Sequence, residues 1–233
     1  MGIFVNMRFV LRTFSITIFI SLLLQNFATA QDNDLGLWNL VGVTYPVSEK
    51  SEASFAQSLR LNDNLTNAQN LLSQLDWTYK FNENTDITFA YRWSFRSTLD
   101  RLKRGESRFQ VSLEHKKPFA RNWEFKHRLR LQSRYRHYAS DENYGTYTNQ
   151  ARYLIGFLYA KYSVKPYTST EFFTSLNGDT FGNALRWRLR FGFEVDINEK
   201  LCLEPYFNFQ RNFKSGAYLD ELALGWELSY TIQ

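Results

Sequence analysis

Charged side chains recur at every second position in several stretches of the chain. The clearest runs from Ala184 to Ile197, A-L-R-W-R-L-R-F-G-F-E-V-D-I. Here Arg186, Arg188, Arg190, Glu194 and Asp196 share one parity, while Leu185, Trp187, Leu189, Phe191, Phe193, Val195 and Ile197 take the other. The same alternation gives a charged parity to Arg92 and Arg96, to Arg108 and Glu114, to Glu124, Arg128, Arg130, Arg134 and Arg136, and to Glu171, Glu204 and Glu227. Guanidinium forks hold carboxylates in two-point pairs, and a guanidinium left over attracts anions. Arginine outnumbers carboxylate in this set. The residues therefore suit an ion-pair network filling an enclosed space, or a basic-lined passage that favours small anionic solutes.

Other chemistry is weakly supported. Nucleophilic catalysis needs a nucleophile, a base and an orienting group within hydrogen-bond reach. His115, His127 and His137 all lie on the apolar parity. Ser133 shares that parity, but it stands six residues from His127 on one strand, roughly 20 Å at about 3.4 Å per residue. Ser112 has the opposite parity. The chain reads as no enzyme, with no catalytic residue and no cofactor. It has no Cys pair, no H-x-x-H and no carboxylate loop of calcium spacing, so no metal ligand set is expected. Cys202 is the only cysteine, which excludes an intrachain disulfide and suits a small buried side chain.

A period of two belongs to strands, which send successive side chains to opposite faces. The organising stretch has one apolar and one charged face, and its length matches the roughly 9–11 residues of a tilted strand crossing a bilayer core. Apolar faces toward lipid and charged faces toward a lumen make a barrel wall. Eleven segments read this way: 35–45, 51–61, 71–81, 86–97, 107–116, 123–138, 147–162, 167–176, 184–197, 201–213 and 221–232. Short turns, such as Asn82-Glu83-Asn84-Thr85 and the Pro118-containing 117–122, alternate with longer polar loops at 62–68, 98–106, 139–146, 177–183 and 214–220. The loops read as solvated connectors. Aromatics gather at both strand ends. Trp77, Tyr79, Phe81, Trp123, Tyr159, Tyr167 and Tyr230 lie by the short turns, and Trp93, Phe95, Tyr135, Trp187 and Phe213 by the longer loops. Two such belts suit two membrane interfaces. The expected fold is all-β, an antiparallel up-and-down transmembrane β-barrel of ten to twelve strands. Eleven strands cannot close a wholly antiparallel barrel, so either 35–45 is not a full wall strand or one strand is missed.

Arg8 and Arg12, the apolar run Phe14 to Leu24 and the small-residue site Ala28-Thr29-Ala30 form a secretory leader. Residues 1–30 are read as cleaved, leaving 31–233 as one barrel domain. Without those two arginines the balance is 26 basic to 23 acidic residues. That is too even to argue for nucleic acid, and the basic residues alternate with aromatics rather than clustering. Mean hydropathy is −0.43, and no mature segment is apolar for the ~18 residues a membrane helix needs, which leaves a β-barrel open.

Leu35-Gly36-Leu37-Trp38, L-R-L-N-D-N at 59–64, W-T-Y-K-F-N at 77–82, H-R-L-R-L-Q-S-R-Y at 127–135 and E-P-Y-F-N-F-Q-R at 204–211 resemble a family of exported barrels of Bacteroidetes-type bacteria, the domain-of-unknown-function 2490 family. The resemblance implies an outer-membrane barrel in contact with outer-membrane lipid and brings no catalytic residues. The expected role is passive, a small-solute, anion-leaning pore or a structural envelope component. The alternatives are a soluble periplasmic barrel with its apolar faces inward around an apolar ligand, and an outer-membrane lipid-modifying enzyme.

Overall fold

The computed structural model describes residues 34–62, 65, 67–96, 104–137, 147–214 and 217–232; the leader read over 1–30 lies outside them. Eleven strands follow one another: β1 (Asp34–Ser48), β2 (Ser51–Asn62), β3 (Asn67–Asn82), β4 (Thr85–Arg96), β5 (Arg104–Ala120), β6 (Trp123–His137), β7 (Tyr147–Tyr159), β8 (Val164–Ser175), β9 (Ala184–Asp196), β10 (Leu201–Lys214) and β11 (Ala217–Thr231). Each pairs antiparallel with its chain neighbour, and the sheet closes on itself.

The closing seam corrects the sequence reading. β1 is a full wall strand, and no strand is missing. It pairs with β11 in parallel, from Asp34 opposite Glu221 to Thr44 opposite Thr231. A parallel ladder is only slightly weaker per residue than an antiparallel one, and closure removes both open edges. Side chains match across the seam. Leu35 and Leu37 lie beside Leu222 and Leu224 on the outside, and Gly36 and Trp38 beside Ala223 and Gly225 on the inside.

The strands also run further into the expected turns. Pro118, expected in a turn, lies in a wall strand, as does Pro46, each at a register shift where the ladder is interrupted. A residue without an N–H is tolerated at such a bulge. The β1–β2, β3–β4 and β5–β6 connections shrink to two residues. At the turn after β3, the Asn84 N–H donates to Asn82 Oδ1 at 2.9 Å. At the turn after β9, Asn198 Oδ1 accepts from the N–H groups of Lys200 and Leu201 at 2.9 Å each. Asparagine thus replaces the missing backbone partners of a reversing chain. At the opposite rim the loops before β3, β5, β7 and β9 are longer, while β10 and β11 are separated by two residues.

The wall is inside out relative to a water-soluble protein. Leu71, Leu75, Trp77, Phe109, Leu113, Leu131 and Phe191 are 46–52% exposed on the outside, whereas Gln110, Asn208 and Gln210 are at most 2% exposed within. A barrel with its apolar faces inward is therefore not this molecule. Ring contacts mark two belts. Trp77 stacks with Phe89 and Trp123 meets Tyr159 near the short turns, and Tyr91 with Trp93 and Tyr135 with Tyr147 near the longer loops.

Two inward tyrosines lie flat over glycines of the next strand. A Cβ on Gly225 would stand 2.5 Å from Tyr206 Cε2 and 2.6 Å from the carbonyl oxygen of Trp38, and one on Gly192 would stand 2.6 Å from the Tyr167 hydroxyl oxygen. Any side chain there would displace the ring. Trp38, Tyr206 and Ala223 form the small apolar cluster that this packing buries beside the seam.

Candidate functional site in the barrel lumen

Strand alternation delivers the charged parity to one enclosed space. A cavity of about 770 Å³ is lined by ten arginines, three lysines and seven glutamates, with amides and a few aromatics between them. Arg92, Arg108, Glu124, Arg128, Arg130, Arg134, Glu171, Arg186, Arg188, Arg190, Glu194, Glu204 and Glu227 all line it. Glu114 lies beside it and pairs with Lys116 at 3.2 Å and Arg128 at 3.7 Å. Arg96 is level with Asn70 and Arg104 in the register, but its side chain lies outside the described ones.

The charges form three groups. At the centre Glu171, on β8, has a side chain only 5% exposed. Arg152 of β7 donates to it twice, from Nε at 3.1 Å and Nη2 at 2.6 Å. Arg128 reaches it at 3.3 Å and Arg188 at 3.6 Å. Three cations on one anion leave that centre positive. Toward the longer loops Glu106 is shared by Arg108 at 2.6 Å, Arg134 at 3.6 Å and Arg136 at 4.0 Å. Toward the short turns the sign changes. Glu204 and Glu227, opposite each other across β10 and β11, both pair with Arg190, at 3.5 and 3.0 Å, and the Tyr167 hydroxyl donates to Glu204. β9 shows the order in one strand, with Arg186, Arg188 and Arg190 followed by Glu194 and Asp196.

Aromatic shelves hold the guanidiniums. Arg60 lies 4.3 Å and Arg188 5.2 Å from the Trp38 ring, Arg152 lies 4.4 Å from Phe173, and Arg190 lies 3.9 Å from Tyr206. Such stacking supports a planar cation without neutralising it. Amides complete the lining. Gln74 accepts from Arg92 Nε at 2.6 Å, Gln210 from Arg188 Nη2 at 2.7 Å and Asn208 from Arg190 Nε at 3.0 Å. Ser112 accepts from Arg130 Nε at 2.8 Å. The lumen thus presents guanidinium donors in excess of carboxylates, held by aromatic and amide neighbours.

Sequence reasoning overlooked several of these residues. Trp38, in the least regular of the segments, carries no charge to mark it for the lumen, yet it is buried there. Arg152 was missed because β7 is apolar on both faces, with Leu154, Gly156 and Leu158 lining the cavity beside it. The amides carry no charge and left no signal beyond their parity. No group of three or more metal-ligating side chains occurs among the described residues. The histidines face outward with the apolar residues; His127 lies edge-on to His115, and Ser133 is opposite Phe109. A different pair is brought together on that face. Ser107 and His137, thirty residues apart, place Oγ and Nε2 3.1 Å from each other.

No curated protein matches the chain. Among solved structures, the beta domain of the Bordetella autotransporter BrkA aligns over 76% of this chain and 82% of that one, with 8% identity and a TM-score of 0.49. The family model described as protein of unknown function (DUF2490) matches residues 35–220, from β1 into the start of β11, and the chain belongs to that family.

Proposed function

We propose that the protein is an outer-membrane barrel of a Gram-negative bacterium and that its lumen is a narrow path favouring small anions. An apolar outer face bounded by aromatic belts supports membrane placement. A leader over residues 1–30 would deliver the chain to the envelope. One observation carries the anion preference. Arg60, Arg92 and Arg130 face the lumen on neutral partners, an indole, an amide and a hydroxyl, with no carboxylate pair among the described residues.

The refolded mature chain in a planar bilayer tests this. Discrete conductance steps with a reversal potential on the anion side are expected, and Arg92→Gln with Arg130→Gln should move that potential toward zero. These two substitutions orphan no carboxylate, so the barrel should still fold. A specific observation favours a second reading, a structural wall component. Glu171 and Glu106 each gather three arginines from their own and nearby strands, a density of pairs along the lumen side that would brace the wall. Electrical silence from a demonstrably inserted barrel would select it.

A further inference from the structure

Three strands converge on a polar cluster of the outer face, at the longer-loop end of β4, β5 and β6, apart from the Thr85–His115 contact near the short turns. Ser107 of β5 has its Oγ 3.1 Å from His137 Nε2 of β6. The Tyr91 hydroxyl, from β4, donates to the same Oγ at 3.1 Å. The register explains the convergence. Ser107 lies opposite Trp93 and Tyr135, and Tyr91 and His137 are the diagonal neighbours two residues away on each side. The imidazole is held edge-on against Tyr135, ring centres 4.5 Å apart. Gly105, opposite His137, has no side chain to cover the pair, and both His137 and Tyr91 are exposed.

We propose that Ser107 and His137 are a nucleophile and its general base, acting on an acyl ester of an outer-leaflet lipid. This rests on the membrane placement above and is independent of the lumen. The pair sits within the outer aromatic belt, and aromatic belts lie at headgroup depth, where lipid ester linkages are found. With the imidazole proton on Nδ1, Nε2 accepts the Ser107 proton as Oγ attacks the ester carbonyl. The Tyr91 hydroxyl, released from Oγ as the new C–O bond forms, donates to the developing oxyanion. Collapse breaks the bond to the lipid alcohol, which leaves with the proton from Nε2. Water then attacks the acyl-serine, gives its proton to Nε2, and releases the fatty acid as the serine re-forms. The only co-reactant is water.

The test uses the refolded mature barrel, with insertion verified by heat-modifiable gel migration. A fluorophosphonate probe reports serine reactivity by peptide mass spectrometry. Fatty-acid release is measured separately from phospholipid vesicles and from lipopolysaccharide. Expected are labelling at Ser107 and release from one of the two lipids. Ser107→Ala and His137→Ala should abolish release, by about 100-fold or more for loss of a general base. Tyr91→Phe should slow it while leaving probe labelling in place. An inserted barrel that neither takes the probe nor releases acyl chains overturns the proposal. Labelling without release from either lipid overturns the lipid assignment. A chain that takes the probe in detergent but never inserts sinks the membrane placement while leaving the serine–histidine pair standing.

Discussion

Replacing Glu171 by glutamine would show how much of the barrel's stability passes through one carboxylate. The substitution keeps the shape and one carbonyl acceptor, and removes the carboxylate shared by Arg152, Arg128 and Arg188, which among the described residues leaves only Arg128 with an acidic partner, Glu114. Arg152, with a side chain 8% exposed, loses a two-point charged pair and has little water to replace it. Removing one partner of a buried pair costs about 3–5 kcal/mol. Stacking on Phe173 and the remaining bond to Gln132 offset part of that loss, so the lower end, about 3 kcal/mol, is expected. The assay is urea unfolding of the refolded barrel in detergent, followed by tryptophan fluorescence. The midpoint should fall, and adding Arg152→Gln should recover part of it, because the second change removes the orphaned charge. A loss below about 1 kcal/mol, within the range of exposed pairs, would refute the view that Glu171 neutralises a buried cluster.

Other perturbations test the wall. Leu131→Arg places a cation in the middle of the outer face of β6 and should cost about 2–4 kcal/mol of stability in lipid; a change within about 0.5 kcal/mol, usual for a water-facing site, would contradict burial in a bilayer. Gly225→Ala should destabilise by about 1–3 kcal/mol, as overpacking does; Tyr206→Leu in the same chain should restore only part of it in the same unfolding assay, because the new Cβ also meets the backbone carbonyl of Trp38. Val41→Cys with Leu228→Cys, in a Cys202→Ser background, should form a disulfide across the parallel seam, seen as a mobility shift on non-reducing gels. Failure to cross-link in the folded barrel would argue against that register.

Alternation alone locates the wall and its two faces, because a period of two admits no other regular backbone. Ala184 to Ile197 reads correctly as β9, with its arginines inward, before any contact is known. Closure is different, since nothing local in Leu35 to Tyr45 says that its partner is β11 rather than a twelfth strand. Turn boundaries fail where prolines sit at bulges, since the bulge is a property of the pair and not of the residue. Ser107 and His137 show the same limit for a site. Reasoning along one strand compares Ser133 with His127, while the hydroxyl that meets an imidazole comes from the neighbouring strand through a diagonal that only the register supplies.

An odd number of strands sends the two ends of the wall out through opposite mouths. β1 enters at the mouth that carries the longer loops, and β11 leaves beside the short turns, where the N–H of Ile232 bonds the carbonyl of Thr44 at 2.9 Å. With the longer loops outside the cell, as the outer-leaflet placement of Ser107 and His137 requires, sequence joined ahead of Asp34 is displayed to the medium and sequence joined after Thr231 faces the periplasm. A single chain of this design is therefore a two-sided mount, able to carry one label outside the cell and another within its envelope.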